Sequence, residues 1–335
     1  MIFGPVPLDH ALGAVLAHTQ RVDRLLFKKG SILEPAEIAA LRRDGRLEIV
    51  VARLDPDDLT ENEAAERVAR ALQTSDLRAG RVATGRCNLY AGANGLLLVD
   101  RIGIDRLNRV HPALTLATLD TATPVGLGEM LATLKVIPFA APEAAVAEME
   151  RLARQELPMR LHRFRALRVG LILTRLPATH ERLLQDTIHT MQGRIQALSG
   201  TMLVPEITGH DSRSVTASLH RLLALGAELV LLAGAAATVD PLDVLPAAIR
   251  DADGVVEHFG MPAEPGNLIC IGRVGRIPAL VLPSCARSPK ANGTDLVLQR
   301  LFAGLKVSPT GIMGMGVGGL LRRPTRRPQA DPGER

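Results

Sequence analysis

The run Leu229-Val-Leu-Leu-Ala233, entered through Glu228, is apolar at every position, and it stands between an amphipathic stretch, Val215 to Leu225, and a turn of small residues. A strand that is apolar throughout, instead of at alternate positions, must be covered on both faces, which a parallel sheet flanked by helices provides. The same period recurs around it. Val169-Gly-Leu-Ile-Leu-Thr174 reads as a strand, His180 to Leu198 as a helix, and Met202 to Ile207 as a strand. Further on, Asn267 to Gly272 and Ile277 to Leu282 pair around Val274-Gly275-Arg276 as a hairpin, and Pro289 to Leu301 reads as a last helix. The expectation is a three-layer α/β/α domain with a mostly parallel sheet over residues 166–306. Ligands of such sheets bind beyond the carboxyl ends of the strands, so the loops after Thr174, Ile207 and Ala233 are the candidate positions.

Residues 1–165 read as a smaller α+β module. Leu12, Val15 and Leu16 share a helical face, Pro35 to Leu41 is a short helix ending before Gly45, and Leu47 to Leu54 is a strand. Thr60-x-x-Glu63 is a capping box that opens a helix burying Ala64, Val68, Ala71 and Leu72. From Val82 to Phe139 the segments 95–99, 114–118 and 131–137 are strand-like, broken by Gly and Pro, and a helix runs from Pro142 to about Gln155. The Arg-rich piece Arg160 to Arg165 reads as the joint between domains, and residues 307–335 as a flexible Gly-rich and Arg/Pro-rich tail.

Composition narrows the function classes. Aromatic residues make up 2% of the 335, too few for the stacking platforms of single-strand nucleic-acid binders, so no nucleic-acid partner is expected. The formal charge of +5 is partly gathered in Arg322-Arg323-Pro-Thr-Arg326-Arg327, a solvated tail or a contact for an acidic partner. Cys87, Cys270 and Cys285 form no CxxC pair, and no segment approaches the apolar length of a membrane span, so a reducing, cytoplasmic setting is expected. The histidines show no HExxH or close metal-ligand spacing, and His258, at a strand end, is the one singled out. Gly314-Met-Gly316-Val-Gly-Gly319 matches GxGxxG but has neither the preceding strand nor the following helix of a dinucleotide site.

Two loops concentrate chemistry. Gly234-Ala-Ala-Ala-Thr238-Val-Asp240-Pro-Leu-Asp243 lets backbone amides approach a phosphate or planar ligand, while Asp240 and Asp243 either cap the next helix or bind a metal or a ligand amine. Pro283-Ser284-Cys285-Ala-Arg287-Ser288-Pro-Lys290-Ala-Asn292 gathers hydroxyls, two cations and an amide before a helix, which suits an anion or a solvated turn.

These segments resemble the molybdopterin-binding domain of the MoaB/Mog, MoeA and gephyrin-like proteins of molybdenum-cofactor biosynthesis. The resemblance rests chiefly on Phe259-Gly-Met261-Pro-Ala-Glu-Pro265-Gly266-Asn267-Leu-Ile-Cys-Ile-Gly272, the hairpin after it, and the strand running into Leu282-Pro-Ser-Cys-Ala-Arg-Ser-Pro289. Upstream, Thr174 falls where the family's Thr-Gly-Asp-Glu begins, His210-Asp211 where an acidic pair precedes a helix, and Gly234 to Asp243 where a Gly-Gly loop leads to an Asp. In the first half, Lys29-Gly30-Ser-Ile-Leu-x-Pro-Ala-Glu-Ile and Ile-Val-Val-Ala-Arg53 resemble a MoeA segment. Related chains continue into a nucleotidyltransferase resembling the molybdopterin cytidylyltransferases, whereas this sequence runs into its Gly-rich tail.

The resemblance implies a ligand site at Thr174, Gly234, Ala235, Thr238, Pro265, Gly266, Asn267, Ser284, Arg287, Ser288 and Lys290 for molybdopterin or the molybdenum cofactor. Asp240 and Asp243 are the candidate catalytic groups, with Mg2+ as a possible cofactor of adenylylation or molybdate insertion and no fixed metal site. The departures point towards binding over catalysis: Thr174-Arg-Leu-Pro lacks the family's acidic residues, Gly-Gly has become Gly234-Ala235, and Asn-Pro has become Cys285-Ala286. The expected roles are cofactor binding or delivery, an adenylyl- or molybdotransferase, or a scaffold partner of a cytidylyltransferase or a molybdoenzyme maturation factor, in a homo-oligomer.

Overall fold

The computed structural model describes residues 1–321. The chain divides into two compact units, Met1–His162 and Arg163–Arg335. Among the described residues no helix is long and apolar enough to cross a membrane.

The second unit is one seven-stranded sheet between helices. Its strands are β1 (Arg168–Arg175), β2 (Thr201–Met202), β3 (Glu206–Gly209), β4 (Leu229–Ala233), β5 (Gly254–Phe259), β6 (Cys270–Val274) and β7 (Ile277–Leu282). They lie in the order β2-β1-β4-β7-β6-β5, with β3 also on β1. All pairings from β2 to β7 are parallel, and β6 and β5 add an antiparallel margin. The strand expected over 202–207 is split in two, because Pro205 has no N–H for the ladder and the chain leaves the sheet around it. The outer strand β5 carries a bulge between Val256 and His258.

The helices are α1 (Glu181–Ala197), α2 (Ser212–Ala224), α3 (Val244–Asp251), α4 (Gly293–Phe302) and α5 (Pro309–Met313). Successive strand side chains point to opposite faces. Val169, Leu171 and Leu173 therefore pack on one side with Leu184, Met191 and Ile195 of α1 and Val297, Leu298 and Phe302 of α4. Ile172, Val230 and Leu232 pack on the other with Val215, Leu219 and Leu222 of α2 and Leu245, Ala248 and Ile249 of α3. These are the three layers that the doubly apolar strands require.

The Gly-rich stretch read as a flexible tail is packed as far as Leu321. Ile312 of α5 is fully buried, Gly319 C=O accepts from Glu264 N–H at 2.8 Å, and Leu321 N–H donates to Glu264 C=O at 2.8 Å. One buried isoleucine at the right place in α5 anchors a segment that composition alone makes look loose. The basic run 322–327 lies outside the described residues.

The first unit is built from small antiparallel sheets. Glu48–Arg53 lies between Ile2–Pro7 and Val15–Leu16, and with helix Pro35–Arg43 it encloses a core of Leu16, Leu33, Leu41 and Val51. The helix expected around Leu12 to Leu16 is absent: Gly13 turns the chain at φ +79°, and Val15–Leu16 pairs as a strand. A four-stranded sheet (Leu114–Thr118, Met130–Val136, Arg86–Ala91, Leu77–Ala79) packs with helices Glu61–Leu72, Arg101–Asn108 and Glu143–Glu156 around a second core. The Thr60 capping box forms, Thr60 Oγ1 accepting from Glu63 N–H at 3.3 Å and Glu63 from Thr60 N–H at 3.1 Å. The segment read as a joint is a strand, Met159–Arg163, that pairs in a three-stranded sheet with Gly95–Val99 and Thr123–Val125.

Cys87 and Cys270 are buried and Cys285 is partly exposed, none in a disulfide. Burial pushes the Cys270 thiol up to about 11. A raised folded-state pKa contributes stability that is complete below the unfolded value, near 9, and is lost as pH climbs from there through 11. Urea unfolding at pH 8 and pH 11 should therefore show about 2–3 kcal/mol more loss in the parent protein than in Cys270→Ala. Equal losses in the two proteins would contradict the assignment.

Candidate ligand-binding site

The carboxyl ends of β1, β4 and β7 lie at one edge of the sheet, and three loops meet there. Thr174, the buried penultimate residue of β1, fastens two of them. Its Oγ1 accepts from Ala235 N–H at 2.8 Å and lies 2.8 Å from His210 Nδ1. The hydroxyl thus ties the loop after β4 to the loop after β3. Next to His210, Asp211 caps α2 by accepting from Ser214 N–H at 2.8 Å, and this bond holds its carboxyl below the usual range.

After β4 the chain turns at buried Gly234, where a Cβ would lie 2.6 Å from the Ala236 carbonyl oxygen. Ala236 and Ala237 are exposed and Thr238 is buried. The two candidate acids are engaged in local turns. Asp243 Oδ1 accepts from Val244 N–H at 2.7 Å and Oδ2 from Val239 N–H at 3.3 Å, while Asp240 Oδ1 accepts from Leu242 N–H at 2.7 Å. Asp243 is the N-cap of α3. Binding Mg2+ through both acids would compete with the Val244 amide that starts the helix and with the turn amides of Val239 and Leu242. Among the described residues no group of three or more His, Cys, Asp or Glu is placed to hold a metal ion.

The loop after β7 begins with a short 3-10 turn, Ser284–Arg287. Arg287 reaches across and donates from Nη2 to the Gly234 carbonyl. Burial pulls its guanidinium below the usual arginine range, with no carboxylate contributing. Ser288 Oγ accepts from Lys290 N–H at 3.3 Å, and Lys290 and Ser284 are exposed. With Arg287 across it, the crevice between Gly234 and Ser284, floored by Thr187, Leu282 and Pro283, retains about 10 Å³, room for a single water molecule.

Composition did not reveal what shapes this loop. Arg194 on α1, its side chain 9% exposed, donates from Nε to Asp295 Oδ1 at 2.7 Å. It also donates from Nη1 to Ala286 C=O at 2.8 Å and from Nη2 to Ser288 and Lys290 C=O at 2.8 and 2.9 Å. Thr190, one turn earlier, donates to Arg287 C=O at 3.2 Å. The loop's carbonyls are thereby turned towards α1. Pro265 and Gly266 lie against the start of α4, Pro265 C=O accepting from Gly293 N–H at 2.8 Å, whereas Asn267 C=O accepts from Met261 N–H at 3.0 Å. Of the residues singled out by sequence, Thr174, Gly234, Ala235 and Arg287 are thus in direct contact, Ser284, Ser288 and Lys290 share the facing loop, Pro265 and Gly266 brace the helix behind it, and Asn267 closes the turn at Met261.

A family model described as a domain of unknown function (DUF8806) matches residues 5–53. No curated protein matches the chain. Among solved structures, the chain is similar to a molybdopterin biosynthesis MoeA protein from Pyrococcus horikosii, at 13% identity over 90% of this chain and 75% of that one, with a TM-score of 0.31. It is similar to a protein assigned to molybdenum cofactor biosynthesis in Corynebacterium diphtheriae, at 16% identity over 43% of this chain and 100% of that one, TM-score 0.31. Molybdenum cofactor biosynthesis protein B gives 12% identity over 41% of this chain and 87% of that one, TM-score 0.27. At these scores the likeness is distant, and no property of those proteins passes to this chain through it.

Proposed function

We propose that the second unit binds an anionic pterin, molybdopterin or the molybdenum cofactor, at the carboxyl edge of β1, β4 and β7, and serves cofactor biosynthesis or delivery. Arg287 is the observation that carries this reading. A partly desolvated guanidinium whose partner is a neutral carbonyl gains when a phosphate replaces that carbonyl, because an oppositely charged, bidentate partner neutralises its charge and adds a second parallel bond. Exchange of Gly234 C=O for a ligand phosphate would also open the crevice that Arg287 now closes. Exposed Lys290 lies in the loop of Arg287, and exposed Ala236 and Ala237 in the turn after Gly234. The sequence resemblance supplies the pterin. Binding ranks above a Mg2+-dependent transferase because Asp240 and Asp243 are engaged in turn and cap bonds.

The test is to release bound pterin oxidatively from purified protein, measure its fluorescence, and titrate the stripped protein with molybdopterin. Saturable rebinding is expected, weakened about 10- to 100-fold by Arg287→Ala and roughly threefold by Lys290→Ala, with circular dichroism unchanged. Absence of rebinding by the parent protein, or equal affinity in Arg287→Ala, would overturn the reading.

A further inference from the structure

The larger opening in the second unit is at the other end of the sheet. A cavity of about 600 Å³ lies at the amino ends of the parallel strands, where Leu167 precedes β1, Glu228 and Leu229 enter β4, and Ile277 and Pro278 begin β7. Leu301, Leu305 and Val307 close one side of this apolar floor. The volume falls in the range of small-molecule sites, which combine such a floor with a few polar groups.

The charged residues around it divide into two sets. Arg165 donates to Leu301 C=O at 3.1 Å, so it serves the end of α4. Arg273 is paired with Glu257 at 2.9 Å and bonds Gly275 C=O at 2.9 Å, and Glu228 accepts from Arg168 N–H at 3.0 Å. Arg276, at the β6–β7 turn, and Lys306, after α4, are exposed, and among the described residues neither charged end has a hydrogen-bond or ion-pair partner. Two uncommitted cations from separate elements therefore border a mixed polar and apolar cavity whose carboxylates are engaged, Glu257 by Arg273 and Glu228 by a backbone N–H.

We infer that this cavity is a second ligand site, for a small amphipathic anion with an oxyanion head between Arg276 and Lys306 and an apolar body on the part-exposed Ile277, Pro278 and Leu305. The site is at the edge opposite the Arg287 crevice, so it stands or falls independently of the pterin reading.

The test uses the full chain and the fluorescent sulfonate 1-anilinonaphthalene-8-sulfonate, with neutral N-phenyl-1-naphthylamine as control. Saturable one-to-one binding of the sulfonate is expected. It should be tighter than that of the neutral dye, weakened by rising salt, and reduced at least roughly tenfold in Arg276→Glu/Lys306→Glu. Both substitutions are on exposed positions and should leave the unfolding transition in place. Displacement by octyl phosphate or by octanoate identifies the head group preferred. Failure of the sulfonate to saturate, undiminished binding in the doubly reversed variant, or equal displacement by octanol would each overturn the proposal.

Discussion

Arg194→Ala should lower the unfolding free energy of the second unit by about 3–5 kcal/mol, the scale for removing one partner of a buried charged network. The substitution deletes four hydrogen bonds to Asp295, Ala286, Ser288 and Lys290. The Ala286 and Ser288 carbonyls then lose their donor together, while Lys290 C=O keeps Asn292 Nδ2 at 3.1 Å. Asp295 is doubly affected, because its other oxygen accepts from Asn292 N–H at 2.8 Å to complete the cap of α4. Arg194→Lys should recover only part of the loss, since a single ammonium does not reproduce the planar fork that meets carbonyls on both sides. Denaturant titration at unchanged m-value is the measurement. A loss below about 1 kcal/mol would mean that water satisfies those carbonyls and that the loop keeps its shape unaided.

Gly266→Ala should cost a comparable amount, about 3–5 kcal/mol, for a different reason. At φ +132° the backbone is in a region that side chains avoid, and a Cβ would lie 2.3 Å from Gly293 N and 2.6 Å from its Cα. Both opposing atoms are main chain, and the Gly293 N–H is bonded to Pro265 C=O. Relief therefore requires the Pro265 turn and the start of α4 to separate. The melting temperature should drop by roughly 10 °C. Gly275→Ala is the control: its φ is +58° but nothing lies within 4 Å of the added carbon, so only the backbone penalty of about 1–2 kcal/mol applies. Equal losses in the two variants would show that the close contact at Gly266 relaxes freely.

The second unit was legible because burial on both faces leaves a plain mark in composition: β1 and β4 are recognisable without reference to anything else. Capping residues were legible for a similar reason, since Thr60 with Glu63 and Asp243 before Val244 satisfy amides only a few positions away. What escaped was set by distant partners. The helix Arg101–Asn108 buries only Gly103, Ile104 and Leu107, too short a pattern to stand out before the fold supplies its neighbours. At the candidate site the separate loops were identifiable, but their closure was not. Arg287 bonds a carbonyl 53 positions away, and Arg194 serves a loop more than 90 positions away. No local periodicity encodes such pairings, and in a chain rich in arginine neither residue announces its role.

The margins of the sheet bear on how this protein behaves at high concentration. One side ends in the two- and four-residue pieces β2 and β3, interrupted at Pro205, and the other in β5, with its bulge and Glu257. A free strand edge is a template on which another chain's backbone can add. Short, interrupted or kinked edges offer few consecutive unpaired amides in register. The second unit, whose central strands are among its most apolar segments, thus presents at its sheet margins poor seeds for cross-molecular sheet growth.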